Sequence, residues 1–136
     1  MPTKKPARKV VFLEDAVPKI RTFDTGATRD QNATKHDFSG YMSPLVVMRF
    51  GQYMTSHRVQ PDGTVRASNN WKKGIPLDAY MESAWRHFED LWLEHEGYES
   101  REGKEDALCG LLFNIAGYLD VHLKSKGYLK KKATNA

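Results

Sequence analysis

The sequence predicts an all-α protein: a small helical bundle with long ordered loops and basic, flexible ends. Apolar residues recur at helical spacing over three separate stretches. Helix-capping and helix-stopping residues bracket those stretches. The chain has 136 residues, enough for one domain with one real core.

Residues 1–9 are rich in Pro, Lys and Arg and read as a disordered arm. Residues 10–20 read as a short strand or extended arm that Pro18 ends. The stretch from Thr25 to Asp37 is polar and loop-like. Ser43 and Pro44 then supply an N-cap and first-turn proline for a helix reaching about Ser56. Leu45, Met48, Phe50, Tyr53 and Met54 mark its apolar positions. Pro61-Asp62-Gly63 is a turn signal, consistent with a weak hairpin. A second helix is expected over about 78–96, with Tyr80, Ala84, Phe88, Leu91, Trp92 and His95 as its apolar rhythm and Gly97 as its stop. Residues 97–104 are a polar connector. The third helix is expected over about 104–125, with Leu108, Leu111, Leu112, Ile115, Leu119 and His122 or Leu123 as its buried stripe. Gly127 ends it, and a Lys-rich tail follows. The expected organisation is therefore a basic arm over 1–22, a helical domain over 23–125 and a tail over 126–136.

Charge is segregated along the chain. Residues 1–9 hold four Lys/Arg and residues 124–136 hold five, with no Asp or Glu in either. That leaves 12 positive against all 17 negative charges in residues 10–123. An acidic body argues against nucleic-acid binding across a broad face and favours a divalent cation, with phosphate reached through it. The basic ends keep a nucleic-acid role open. One cysteine, Cys109, rules out an internal disulfide, fits a reducing cytoplasm, and reads as core. No apolar run approaches the ~18 residues of a membrane span, and Val10–Leu13 is too short for a signal sequence.

Three groups of residues carry chemistry. On the third helix, Asp106, Gly110, Asn114 and Gly117 share one stripe. The two glycines admit a close neighbour, and Asn114 within an apolar run requires a hydrogen-bond partner or a ligand. On the second helix, His87, Asp90 and Glu94 share a face from which imidazole and carboxylates can hold one metal; Arg86 beside His87 suits phosphate oxygens. Between helices, Asn70, Trp71, Lys72 and Lys73 join an indole able to stack on a base to point charges for phosphate. Lys35 and Arg29 lie in a second polar loop. Each group has a plain structural alternative: Trp71 plugging the core, Asn114 bonding a carbonyl, and the carboxylates as a solvated acidic face. No P-loop, dinucleotide glycine fingerprint, nucleophile elbow or zinc-type spacing is present.

The order Gly26-Ala27-x-Arg29-Asp30, Lys35, Asn70-Trp71-x-Lys73-Gly74, Tyr80, Arg86-His87, Glu105-Asp106-Ala107-Leu108 and Asn114 resembles the dATP/dGTP diphosphohydrolase N-terminal domain family. That family of phage and bacteria is related to the MazG-type all-α nucleotide pyrophosphatases, and the resemblance spans roughly residues 23–123. It implies Mg2+-dependent (or Mn2+-dependent) cleavage of a purine deoxynucleoside triphosphate to monophosphate and pyrophosphate, in a homo-oligomer. It implies that Asn70, Trp71, Lys73, Arg86, His87, Asp106 and Asn114 line the site. In the broader pyrophosphatases two helices bear E-x-x-E and E-x-x-D. Here the second helix offers His87-x-x-Asp90 and the third offers Glu105-Asp106 with Asn114.

The resulting expectation assigns catalysis to His87, Glu105 and Asp106. Metal binding falls to Asp90, Glu94 and Asp106, and substrate binding to Lys35, Asn70, Trp71, Lys73, Arg86 and Asn114. A non-catalytic nucleotide binder is the alternative, since the second helix lacks the paired glutamates.

Overall fold

A computed structural model describes residues 2–7, 19–30 and 35–133. The expected strand or arm over 10–20 lies almost entirely outside them. The chain divides into two compact units, Met1–Ser43 and Pro44–Ala136.

The first unit corrects the all-α expectation. It carries a two-stranded antiparallel sheet, β1 (Ile20–Thr22) paired with β2 (Thr28–Asp30), Ile20 opposite Asp30. The turn between them contains Gly26 at φ +86°, and Phe23 N donates to Ala27 O at 2.8 Å. Glycine reaches that left-handed conformation without a Cβ penalty. Arg21 stacks its guanidinium over the Phe23 ring at 5.0 Å. A single 3-10 turn follows at Ser39–Tyr41, where Asp37 Oδ1 accepts from Gly40 N at 2.9 Å.

The second unit is helical: α1 (Pro44–Ser56), α2 (Leu77–His95) and α3 (Lys104–Ser125). These match the three expected helices. Pro44 opens α1 because its missing N–H is one the first turn leaves unpaired anyway. Between α1 and α2 the chain makes a small hairpin around Pro61-Asp62-Gly63. Val59 bridges Val65, Gln60 N donates to Thr64 O at 2.8 Å, and Asp62 Oδ1 accepts from the Thr64 hydroxyl at 2.6 Å. A 3-10 turn at Asn70–Lys73 then leads to Gly74 and α2.

Helix α2 packs mainly on α3, and the contact differs from the expected one. Buried on α3 are Ala107, Cys109, Gly110, Asn114 and Gly117, whereas Leu108, Leu112, Ile115 and Leu119 are exposed. The small residues face inward because α2 presents large rings to them. A Cβ on Gly117 would lie 2.4 Å from the Tyr80 ring, and one on Gly110 would lie 2.5 Å from the His87 ring. Tyr80 is the largest fully buried side chain, 1% exposed. The rings of α2 fill the space beside the glycines, and the row of leucines faces outward. On α2, Met81, Trp85, Phe88 and Trp92 form a second outward row at i, i+4, i+7, i+11. Trp85 and Phe88 meet edge to face with centroids 6.3 Å apart, and Phe88 and Trp92 are tilted at 34° with centroids 6.5 Å apart. Among the described residues no helix is long and apolar enough to cross a membrane.

Candidate nucleotide site

The site is built where α1, the 59–75 connection, α2 and α3 of the second unit meet. A cleft of about 290 Å³ lies there, close to the lower bound usual for small-molecule sites. Its wall from α1 and the hairpin supplies Tyr53, His57, Arg58 and Arg66. The 3-10 turn supplies Asn70 and Trp71, α2 supplies Ser83 and His87, and α3 supplies Phe113 and Asn114.

The cationic wall is held by backbone bonds. Arg58 Nε donates to Arg66 O at 2.8 Å, and Arg66 Nη2 donates to His57 O at 2.9 Å. Neither arginine joins an ion pair among the described residues, so their remaining N–H groups are available to an anion. Trp71 carries two ammonium groups near its ring, Lys72 Nζ and Lys124 Nζ, each 5.6 Å from the centroid. Tyr53 is buried and stacks on His57 with centroids 3.9 Å apart. Burial, aided by the charges of Glu102 and Asp106, pushes its phenol up to about 12, so near neutrality it is an O–H donor.

His87 lies at the floor of the cleft. Its Nδ1 is 2.6 Å from Glu102 Oε1, and both side chains are largely buried. A carboxylate on one ring nitrogen fixes the imidazole's orientation and tautomer and leaves Nε2 for other chemistry. Asp90, 5% exposed, lies alongside; Arg101 donates to its Oδ2 from Nη2 at 2.6 Å and from Nε at 3.1 Å. Burial alone would raise the Asp90 pKa, but the hydrogen bonds and charge of Arg101 outweigh it and hold it below the ordinary aspartate value. His87, Asp90 and Glu102 each offer one ligand atom within 4.8 Å of the others. One nitrogen with two carboxylate oxygens suits a divalent cation of the Mn2+ or Mg2+ kind, the imidazole favouring Mn2+.

Asn70, Trp71, His87 and Asn114 thus share one cleft, and Asp90 joins His87 behind it. The remaining expected site residues have other partners. Arg49 of α1 holds Glu105 Oε1 at 2.8 Å and Asp106 Oδ1 at 2.7 Å, so both acids stand outside the His87 cluster. Glu94 accepts from Ser100 N and Oγ, each at 2.9 Å, and closes the α2–α3 connection instead of facing a metal. Arg86 is exposed and donates to Ser83. Lys73 is exposed outside the cleft lining, and Lys35 belongs to the first unit. Asn114 donates Nδ2 to Gly110 O at 2.7 Å, so its buried amide is satisfied within its own helix.

The sequence marks His57-Arg58 as added cation density and Glu99-x-x-Glu102 as a carboxylate pair in the connector, but it does not point to Arg66 or Arg101, nor to Glu102 as the partner of His87. Glu102 and Arg101 fall in the polar connector, where spacing carries no facial information. A signal was nonetheless present: the Glu96, Glu99, Glu102 series ends just before Gly103, whose φ of +83° starts α3 and turns the chain back toward α2. Comparison of the chain with protein-family models, curated proteins and solved structures returned no match.

Proposed function

We propose that this protein is a metal-dependent pyrophosphohydrolase of purine (deoxy)nucleoside triphosphates. The observation that carries the reading is the single cleft in which an indole, two ion-pair-free arginines and a carboxylate-held imidazole face one another. Trp71 would stack on the base, and Arg58 and Arg66 would hold phosphate oxygens. Tyr53 would donate a hydrogen bond to the same anion. Glu102 keeps the Nδ1 side of His87 occupied, which leaves Nε2 as the base that takes a proton from attacking water. Asp90 and Glu102 would hold the cation beside that base, and the cation when bound would neutralise phosphate charge and acidify water. Arg101 is mostly exposed at its tip, so its release from Asp90 toward solvent is sterically open.

The reading is tested by incubating purified protein with each nucleoside triphosphate and Mg2+ or Mn2+. Pyrophosphate release would be detected as phosphate after added inorganic pyrophosphatase. Purine triphosphates should turn over, and His87→Ala should lose at least ~100-fold in rate, the usual scale of a general base. No turnover of any nucleotide by metal-loaded protein rules out the enzymatic reading.

A second reading, a non-catalytic nucleotide binder, draws support from the acids themselves. Asp90 is committed to Arg101, and Glu105 and Asp106 to Arg49, so few carboxylates remain for a metal. Thermal stabilisation by nucleotide without product would select it.

We also propose that the protein works as a homo-oligomer. The outward rows Met81, Trp85, Phe88, Trp92 and Leu108, Leu112, Ile115, Leu119 support this, since apolar stripes of that length are rarely left to water. Light scattering on wild type and Trp85→Lys should show a multiple of the chain mass and a shift toward monomer. Wild type at the single-chain mass of 15.6 kDa at micromolar concentration would contradict it.

A further inference from the structure

Behind Trp71 a second cavity of about 320 Å³ opens between α1 and α3. Its walls are Phe50 and Met54 from α1, Trp71, and Phe113 and Ala116 from α3. Gly51 leaves it open, since a Cβ there would meet nothing within 4 Å, and Gly117 and Ser68 also line it. Asp120 is the one charged residue in this lining. The cavity shares Met54, Ser68, Trp71 and Phe113 with the cationic cleft, so the two adjoin across these side chains. An apolar, ring-lined compartment with one carboxylate, next to a cleft that carries arginines, suits a planar base joined to an anion.

Asp120 has a defined neighbour. Lys124 Nζ lies 2.8 Å from Asp120 Oδ2 and also sits over the Trp71 ring. A hydrogen-bond acceptor in the compartment's lining therefore stands directly beside a donor. Guanine presents the complementary edge: an oxygen acceptor next to two N–H donors. A carboxylate takes the two N–H groups together, and the ammonium meets the oxygen. Adenine offers one amino group beside a ring nitrogen and fills fewer of these positions. Pyrimidines present a smaller stacking surface to Trp71 and Phe113.

We infer that the Phe50–Trp71–Phe113 compartment holds the base and that Asp120, paired with Lys124, selects the 2-amino-6-oxopurine edge. The inference rests on the proposed nucleotide reading and assigns its base preference.

The test uses the full chain and calorimetric titration with four ligands: dGTP, dITP, dATP and tripolyphosphate. Inosine lacks the 2-amino group, and tripolyphosphate lacks a base and so reports the cationic cleft alone. Wild type should bind dGTP at least ~10-fold tighter than dITP or dATP, the factor expected for one charge-assisted hydrogen bond. Asp120→Asn should erase the dGTP–dITP difference while tripolyphosphate binding changes less than about twofold. Trp71→Leu should weaken all three nucleotides and leave tripolyphosphate in place. Equal affinity of wild type for dGTP, dITP and dATP overturns the Asp120 assignment while leaving nucleotide binding standing. So does an Asp120→Asn variant that keeps the preference. Failure of wild type to bind any of the four ligands overturns the cleft reading and this inference together.

Discussion

Replacing Gly117 by alanine tests how α2 and α3 are held together. Two effects oppose each other. Alanine in the middle of a helix gains about 1 kcal/mol over glycine from backbone entropy. Against that, the new Cβ would stand 2.4 Å from Tyr80 Cε1 and Cζ and 2.6 Å from its hydroxyl. Ordinary carbon contacts need more than an ångström beyond this. Tyr80 is 1% exposed, so relieving the overlap means moving a buried ring out of its packing. Overpacking of that kind costs about 1–3 kcal/mol, and a rigid buried ring puts it at the upper end, ~3 kcal/mol. The net is a loss of about 2 kcal/mol. For a domain of roughly 100 residues this lowers Tm by about 8–16 °C. Gly51→Ala in α1 is the matched control. A Cβ there meets nothing within 4 Å, so only the helix gain remains and stability should rise by up to ~1 kcal/mol. Thermal and urea unfolding followed by helical circular dichroism measure both. Gly117→Ala as stable as wild type would refute the ring-in-hole packing, as would equal destabilisation by Gly51→Ala.

Three further outcomes follow from the same contacts. Tyr80→Phe should stabilise by ~1 kcal/mol in urea unfolding, because the buried Tyr80 hydroxyl has no hydrogen-bond partner among the described residues. Arg101→Ala should cost about 2 kcal/mol at pH 7, a figure reduced from that of a fully buried pair because the arginine is largely in water. Asp90 has a folded pKa below its ordinary 3.8, so its contribution is present above pH 3.8 and is lost as pH falls through the folded value; the gap between wild type and Arg101→Ala should close in that acid range. Tyr53 behaves oppositely, its pKa being raised by burial from 10.0 to about 12. Its contribution is complete below pH 10.0 and is lost as pH rises toward 12, so Tyr53→Phe should flatten the alkaline limb of the stability profile.

Much of the helical framework was legible in the sequence. Pro44 begins α1 as the Ser43-Pro44 signal indicates, and Gly97 and Gly127 stand just past the ends of α2 and α3. Cys109 is buried, as an apolar helix position suggests. The inward face of α3 was not legible. Periodicity marks the large apolar residues, and Leu108, Leu112, Ile115 and Leu119 outweigh Gly110 and Gly117 on any such reading. The decision was tertiary: Tyr80 and His87 needed space that only glycine leaves. The three-residue strands β1 and β2 carry too few positions for alternation to register.

The candidate site was legible in part. Asn70, Trp71, His87 and Asn114 share the cleft. The carboxylate that reaches His87 comes from Glu102, fifteen residues on in the connector, and not from the acids at the start of α3. Glu105 and Asp106 sit in the first turn of that helix, where their charge is favoured by the dipole and then taken up by Arg49. No spacing rule on α3 alone could reveal a partner on α1.

The most direct measurement is a structure of the protein with Mn2+ and a non-hydrolysable purine triphosphate. The proposed function predicts the base against Trp71, phosphate oxygens at Arg58 and Arg66, and the cation on Asp90 and Glu102 beside His87. A nucleotide bound elsewhere, or a cleft left empty at saturating ligand, would contradict it.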